Sequence, residues 1–390
     1  MTSLLPGKPF ALMVRVVVAS LVVLVWWYAA KSQDPARSDA TADWILVKAV
    51  SSQLSPFEDV RVLGNQLGVP FKSWRDMSEP IVAYRTPGGL LLLYPLILVD
   101  WSAAHVLVSL VGMLCFLWML LVQIPRYCHV PVEKLLLPLA LASVSATSIE
   151  TTNWGAVSSI IAVLTLGTLL RVGNVTSGVP LAIATVMKLY PGLLFVPMLV
   201  KRQRSLLLGI VVVVAISTAL GAVTFGLSLG ETARLMMEGS SVWLTSGGNV
   251  SVGAMLTGPS APFWIFPLLV LIGIAIVAKY AMVRPLAQAL AFAIPVSVLV
   301  NPVSWVHYDV LLIPVVIWLW TRSRYSFGRY VAITWLAFQA IASRLSDLGA
   351  VDVVRVGVFG SRILVAAAIA FAPAALWKPP EPARAFQLTS

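Results

Sequence analysis

Charge is scarce in this chain. Only 11% of its 390 residues are Asp, Glu, Lys or Arg, against 59% hydrophobic. Together with a mean hydropathy of +0.91, this excludes a soluble globular protein and defines an all-α polytopic membrane protein. Cysteine is scarcer still: Cys115 and Cys128 cannot build a disulfide framework. Three histidines (His105, His129, His307), with no HxxxH or CxxC spacing, exclude a structural zinc site, and no cofactor is expected. No Asp-x-Asp pair occurs, which removes the commonest hint of a metal-held nucleotide donor. Phosphate loop, dinucleotide fingerprint, nucleophile triad, internal repeat and low-complexity tract are also missing. The net charge of +11 comes from short cationic clusters between apolar runs. That pattern speaks against nucleic acid and for membrane lipids as partners.

Long apolar runs fill the rest. They fall near 11–30, 103–123, 134–148, 154–171, 205–226, 262–281, 285–300, 303–321, 328–343 and 360–377. The first ends Tyr28-Ala29-Ala30 and so mimics a signal peptide; with many spans following, it reads as an uncleaved first helix. Lys188-Leu189-Tyr190-Pro191 interrupts 178–200, predicting two short helices that meet at a recessed pocket. The run 87–99 is too short for a span and reads as an interfacial or re-entrant helix. This gives about twelve crossings in a single domain over 1–390. With both termini in the cytoplasm, more than half of the 27 cations face inwards, among them Lys8, Arg15, Arg126, Lys201, Arg202 and Arg204. The 31–86 loop, Glu150, the 227–261 loop, Asn301–Asp309 and the 344–359 loop then lie outside. Only Arg234, Arg344, Arg355 and Arg362 are cations of the short outer loops. Within 31–86, Trp44, Val47, Val50 and Leu54 recur at helical spacing, predicting an amphipathic helix on the outer membrane surface.

Polar chemistry therefore gathers on one side. Asp39 and Asp43 are four residues apart and share one helical face, where a carboxylate in a partly buried pocket can serve as general base; both can equally solvate or cap the helix. Lys188 stands beside the Tyr190-Pro191 break, either snorkelling to the interface or aimed into a cavity. Arg85, in Tyr84-Arg85-Thr86-Pro87, offers a planar fork for a lipid phosphate. Trp154, in Asn153-Trp154-Gly155, opens a span as an interface anchor or substrate contact, and Asn249 lies in a glycine-containing loop suited to covering a site. The most informative stretch is Asn301-Pro302-Val303-Ser304-Trp305-Val306-His307-Tyr308, where a prolyl break, aromatic rings and an imidazole stand between apolar runs. Unsatisfied polar groups in hydrocarbon cost several kcal/mol each, so His307 is a site candidate by default.

These pieces, in order, resemble the multi-spanning glycosyltransferases of family 87. The matching residues are Asp43-Trp44 through Pro56-Phe57, Tyr84-Arg85-Thr86-Pro87, Asn153-Trp154-Gly155, Lys188-Leu189-Tyr190-Pro191, Asn249-Val250-Ser251 and Asn301-Pro302-Val303-Ser304-Trp305-Val306-His307. Where the family often has a second histidine this chain has Tyr308, and Gly88 stands for a second proline. The resemblance implies a GT-C fold with an extracytoplasmic active site and a polyprenyl-phosphate sugar donor, most often mannose. It further implies inversion at the anomeric carbon, no metal, and a glycolipid or lipoglycan acceptor at the cell membrane. Carried over by position, Asp43 is the acceptor-activating base, and His307 and Lys188 line the donor-phosphate pocket with Arg85. Asp39, Trp154, Tyr190, Asn249 and Trp305 are the expected substrate contacts. An arabinofuranosyl transferase of the same fold, or a transporter or flippase for a lipid-linked sugar, are the alternatives. Only one broken span is visible and no matching second half, which favours the enzyme.

Overall fold

A computed structural model describes residues 8–32, 34–72, 85–153, 156–171, 175–230, 232, 234, 249–257, 264–322 and 324–377. Among these, every regular element is helical. In chain order they are α1 (Lys8–Ser32), α2 (Asp39–Ser51), α3 (Val60–Gln66), α4 (Pro87–Leu93), α5 (Trp101–Cys128), α6 (Leu136–Ser143), α7 (Ala146–Asn153), α8 (Ser158–Leu169) and α9 (Val175–Met187). There follow α10 (Phe195–Val200), α11 (Arg204–Phe225), α12 (Val252–Thr257), α13 (Ile265–Val283), α14 (Leu286–Val300), α15 (Ile313–Thr321), α16 (Ser326–Asp347) and α17 (Val351–Phe371). Five of them, α1, α5, α11, α13 and α17, are long and apolar enough to cross a membrane. Their outer faces show why. Leu12, Val16 and Leu24 on α1, Leu110 and Leu114 on α5, and Leu208, Val211 and Val223 on α11 point away from the protein. Apolar exposure on that scale belongs against lipid rather than water.

Shorter helices fill the interior. α14 is buried along nearly its whole length, and α15 from Ile313 to Leu319. Small residues set the closest crossings. A side chain at Gly178 or Gly209 would collide with the α9–α11 partner backbone, and one at Gly221 with the Pro87 carbonyl. Gly221 thus lets α11 approach the start of α4, two residues from Arg85.

Three expectations need correction. The helix α2 is not a surface helix with one wet face: Ala40 through Val47, Ala49 and Val50 are all buried. It packs between α3, α4 and α5, and its Trp44 Nε1–H donates to the Val99 carbonyl at 2.9 Å. The helical spacing is real, but apolar residues at intervening positions cover the other side too. Nor is 344–359 a loop. α16 runs to Asp347, Leu348–Ala350 turns the chain, and α17 starts at Val351; Gly349 sits at φ 82°, a conformation that favours glycine. Arg362 is therefore not a cation of an outer loop but lies in the middle of α17, fully buried.

The 178–200 run divides as its proline demands. α9 ends at Met187, and after Lys188 and Leu189 a 3-10 turn at Tyr190–Leu194 leads into α10. The 87–98 stretch is α4 plus a 3-10 turn, Tyr94–Leu98.

Candidate active site

Ser38 decides where α2 begins. Its buried Oγ accepts the Thr41 N–H at 3.1 Å and donates to Thr41 Oγ1, which in turn donates to the Pro35 carbonyl at 2.8 Å. That cap makes Asp39 the first helical residue and puts Asp43 one turn later on the same face. Asp43 is 2% exposed. Its Oδ1 lies 2.8 Å and its Oδ2 3.0 Å from Arg85 Nη2. Burial opposes the guanidinium charge, but Asp43 and Asp39 outweigh it and raise Arg85 above its ordinary value.

Thr86 holds that arginine in place. Its Oγ1 caps α4 by accepting the Gly89 N–H at 2.9 Å and donates to the Val186 carbonyl at 2.7 Å. Val186 is two residues before Lys188, so one hydroxyl fixes both cations relative to each other. The Lys188 ammonium lies 3.9 Å from Asp39 Oδ2, donates to the Tyr308 hydroxyl at 3.3 Å and sits 4.6 Å from that ring's centre. Asp39 keeps 20% of its side chain exposed. Burial lifts its carboxyl above the usual carboxylate range, Lys188 and Arg85 pull against the rise, and Asp43 adds to it.

The third wall is the 3-10 turn Val306–Leu311 that follows Pro302. Tyr308 stacks on Tyr190 at 4.6 Å and meets the His307 ring edge-on at 4.8 Å. His307 is buried, and its Nε2 has no hydrogen-bond partner among the described residues. Lys188, Arg362 and Arg85 all lie within electrostatic reach of the imidazole. Two acids thus balance two cations around an aromatic pair, beside a buried imidazole nitrogen free to bind.

Arg362, missed by the sequence reading, holds that turn from behind. Its Nε donates to Asp309 Oδ1 at 2.6 Å, Nη1 to Ser304 Oγ and the Val250 carbonyl, and Nη2 to the Trp305 carbonyl. Gln339 donates to Asp309 Oδ2 at 3.0 Å and accepts from Thr147. The pair is completely buried. Such an ion pair is tolerable in an apolar core only when its remaining hydrogen-bond capacity is also used. One signal could have revealed it: Val354, Val358, Arg362, Val365 and Ile369 form one buried helical stripe.

The expected site residues divide accordingly. Asp39, Asp43, Arg85, Lys188, Tyr190 and His307 come together in one cluster. Trp305 is partly buried against the core, and its carbonyl serves Arg362. Asn249 is fully buried, and its amide bonds the Pro302 carbonyl and the Ser251 and Ser304 N–H groups, so it braces the prolyl break from inside. Trp154 lies outside the described residues. Among the described residues no group of three or more His, Cys, Asp or Glu side chains could hold a metal ion.

A sequence model of glycosyltransferase family 87 matches residues 85–303, more than half of the chain. The chain belongs to glycosyltransferase family 87. It is a membrane protein and a glycosyltransferase, and so acts on a sugar donor and an acceptor. No curated relative matches the sequence. The family match opens at Arg85 and includes Lys188, Tyr190 and Asn249, but ends before His307 and begins after Asp43. Contact with Arg85 and Lys188 brings the unmatched Asp39, Asp43 and Tyr308 to the matched region.

Proposed function

We propose that this enzyme moves a hexose, mannose in first place, from a polyprenyl-phosphate donor to a hydroxyl of a glycolipid or lipoglycan. It does so at the extracytoplasmic face of the cell membrane, with inversion and without a metal. The fold is GT-C, with about twelve crossings counted from hydropathy and both termini in the cytoplasm. The observation that carries this reading is the cluster itself: paired carboxylates, two cations and an unpartnered imidazole nitrogen, contributed by four distant segments.

The chemistry needs those groups. Asp43 takes the proton of the acceptor hydroxyl, the oxygen attacks the anomeric carbon, and the bond to the phosphate oxygen breaks. The electron pair leaves with the polyprenyl phosphate, whose charge Arg85 and Lys188 neutralise while His307 Nε2 meets a phosphate oxygen. Arg85 pairs with Asp43 before the donor binds; exchange of that carboxylate for phosphate oxygens leaves Asp43 open to the acceptor hydroxyl. A planar fork suits both partners.

The test is transfer from polyprenyl-phosphate mannose to crude lipid acceptors by purified protein, beside Asp43→Asn. Transfer should fall by roughly 10²–10⁴-fold in the variant, the usual cost of losing a general base. Transfer that survives rejects Asp43 as the base. A wild-type protein that transfers from no lipid-linked sugar favours the transporter or flippase.

A further inference from the structure

One crevice lies apart from the charged cluster. It encloses about 510 Å³ between the residues that follow α2 and those that end α11. Both walls lead back to the site. Val50 on one wall is seven residues beyond Asp43 on α2, about 10 Å along the helix axis. The other wall continues α11, whose Gly221 touches the Pro87 carbonyl beside Arg85.

The lining is half polar, half apolar and carries no described charge. Gln53, Ser55, Thr224 and Thr232 supply hydrogen-bonding groups, and Phe57 and Phe225 supply ring faces. Phe225 is steadied by a tilted contact with Tyr94 at 5.7 Å. Without a cation among its described lining residues the crevice does not suit a phosphate, and with this many polar groups it does not suit an isoprenoid chain. Neutral hydroxyl-binding groups interleaved with aromatic faces suit a sugar ring, whose edges carry hydroxyls and whose faces carry C–H bonds. One further observation marks it as built. Thr232 is buried, and its Oγ1 has no partner among the described residues. Gln53 stands at φ 60° as the left-handed residue that closes α2, where the Leu54 N–H donates to the Ala49 carbonyl at 2.9 Å, and it turns the chain into the crevice wall.

We infer that this crevice binds a neutral sugar residue of the acceptor and so directs the acceptor hydroxyl towards Asp43. The inference rests on the transfer reaction proposed above. It assigns Phe57 and Thr232 to acceptor selection, with no part in binding the donor.

The test titrates octyl α-mannotrioside, whose rings can reach from the crevice to Asp43, using wild type, Phe57→Ala and the isosteric Thr232→Val. Each variant should raise the KM for the glycoside about tenfold, the cost of one lost stack or hydrogen bond. The KM for polyprenyl-phosphate mannose and the thermal midpoint should stay unchanged. A glycoside KM within twofold of wild type in both variants overturns the inference, as does an equal rise in donor KM. Calorimetric titration of the glycoside separates this from failure of the transfer reading. Millimolar binding by wild type that Phe57→Ala abolishes sustains the crevice even when no transfer occurs. No binding by wild type, or equal binding by the variant, overturns it.

Discussion

Asp39 and Asp43 share a helix face, yet their surroundings push them towards different work. Arg85 Nη2 sits within 3.0 Å of both Asp43 oxygens, whereas Asp39 faces Lys188 at the longer distance of 3.9 Å. Burial raises Asp39 above the usual carboxylate range, so its ionisation falls nearer the working pH. The sign follows. Lys188 has its carboxylate partner only above the Asp39 pKa, so donor-site order is lost as pH falls through it. The acid limb of kcat/KM should therefore lie above about 3.9, the ordinary aspartate value, and move to lower pH in Asp39→Asn. An acid limb unmoved by that change would assign it to another group. At this scale much was legible beforehand. A carboxylate four residues from another, a lysine before Tyr-Pro and a histidine after Asn-Pro each break a local rule, and local rules are what a sequence displays. Tyr308 was less visible, because its importance comes from being stacked between two such breaks.

Elements join these residues through backbone carbonyls and one buried ion pair. Arg362 on α17 gathers Val250, Ser304, Trp305 and Asp309, and so positions the His307–Tyr308 turn from its far side. Removing only one charge leaves the other buried without its partner, which typically costs about 3–5 kcal/mol. Arg362→Met should lower the thermal midpoint sharply, and Asp309→Leu likewise. The double variant Arg362→Met/Asp309→Leu should be less destabilised than the sum of the singles, because neither charge remains. Strictly additive losses would show that the two side chains act independently. This network was the part least legible in the sequence. Arg362 was counted with the outer-loop cations although it stands inside the 360–377 apolar run, and nothing local shows that Asp309 and Gln339 await it. The same blindness affected α2, where a helical period was read correctly but the neighbours that bury its second side are far along the chain.

The whole molecule poses the question of sides. α11 has 22 residues, a rise of about 33 Å, enough for about 30 Å of hydrocarbon. Its first end carries Arg204 next to Lys201 and Arg202, a cationic group that favours the cytoplasm. Its last residues, Thr224 and Phe225, line the crevice opposite Val50 and Gln53, at the end of the helix that bears Asp39 and Asp43. A membrane-crossing α11 therefore predicts that Asp39 and Asp43 and the Lys201, Arg202 and Arg204 cations lie on opposite faces of the membrane, whichever face is which. Two exposed serines report this directly: Ser51 at the end of α2 and Ser205 at the start of α11. Cys115 is half-buried and Cys128 buried, and both should first be replaced by alanine to clear the background. In intact cells an impermeant maleimide should label Ser51→Cys, and should label Ser205→Cys only after permeabilisation. Labelling of both from outside would break the claim that α11 spans. The reverse pattern would place the carboxylates in the cytoplasm and require a donor presented on the inner leaflet. Because the charge bias and the site geometry enter through different residues, agreement between them in one experiment would fix the orientation of the entire chain.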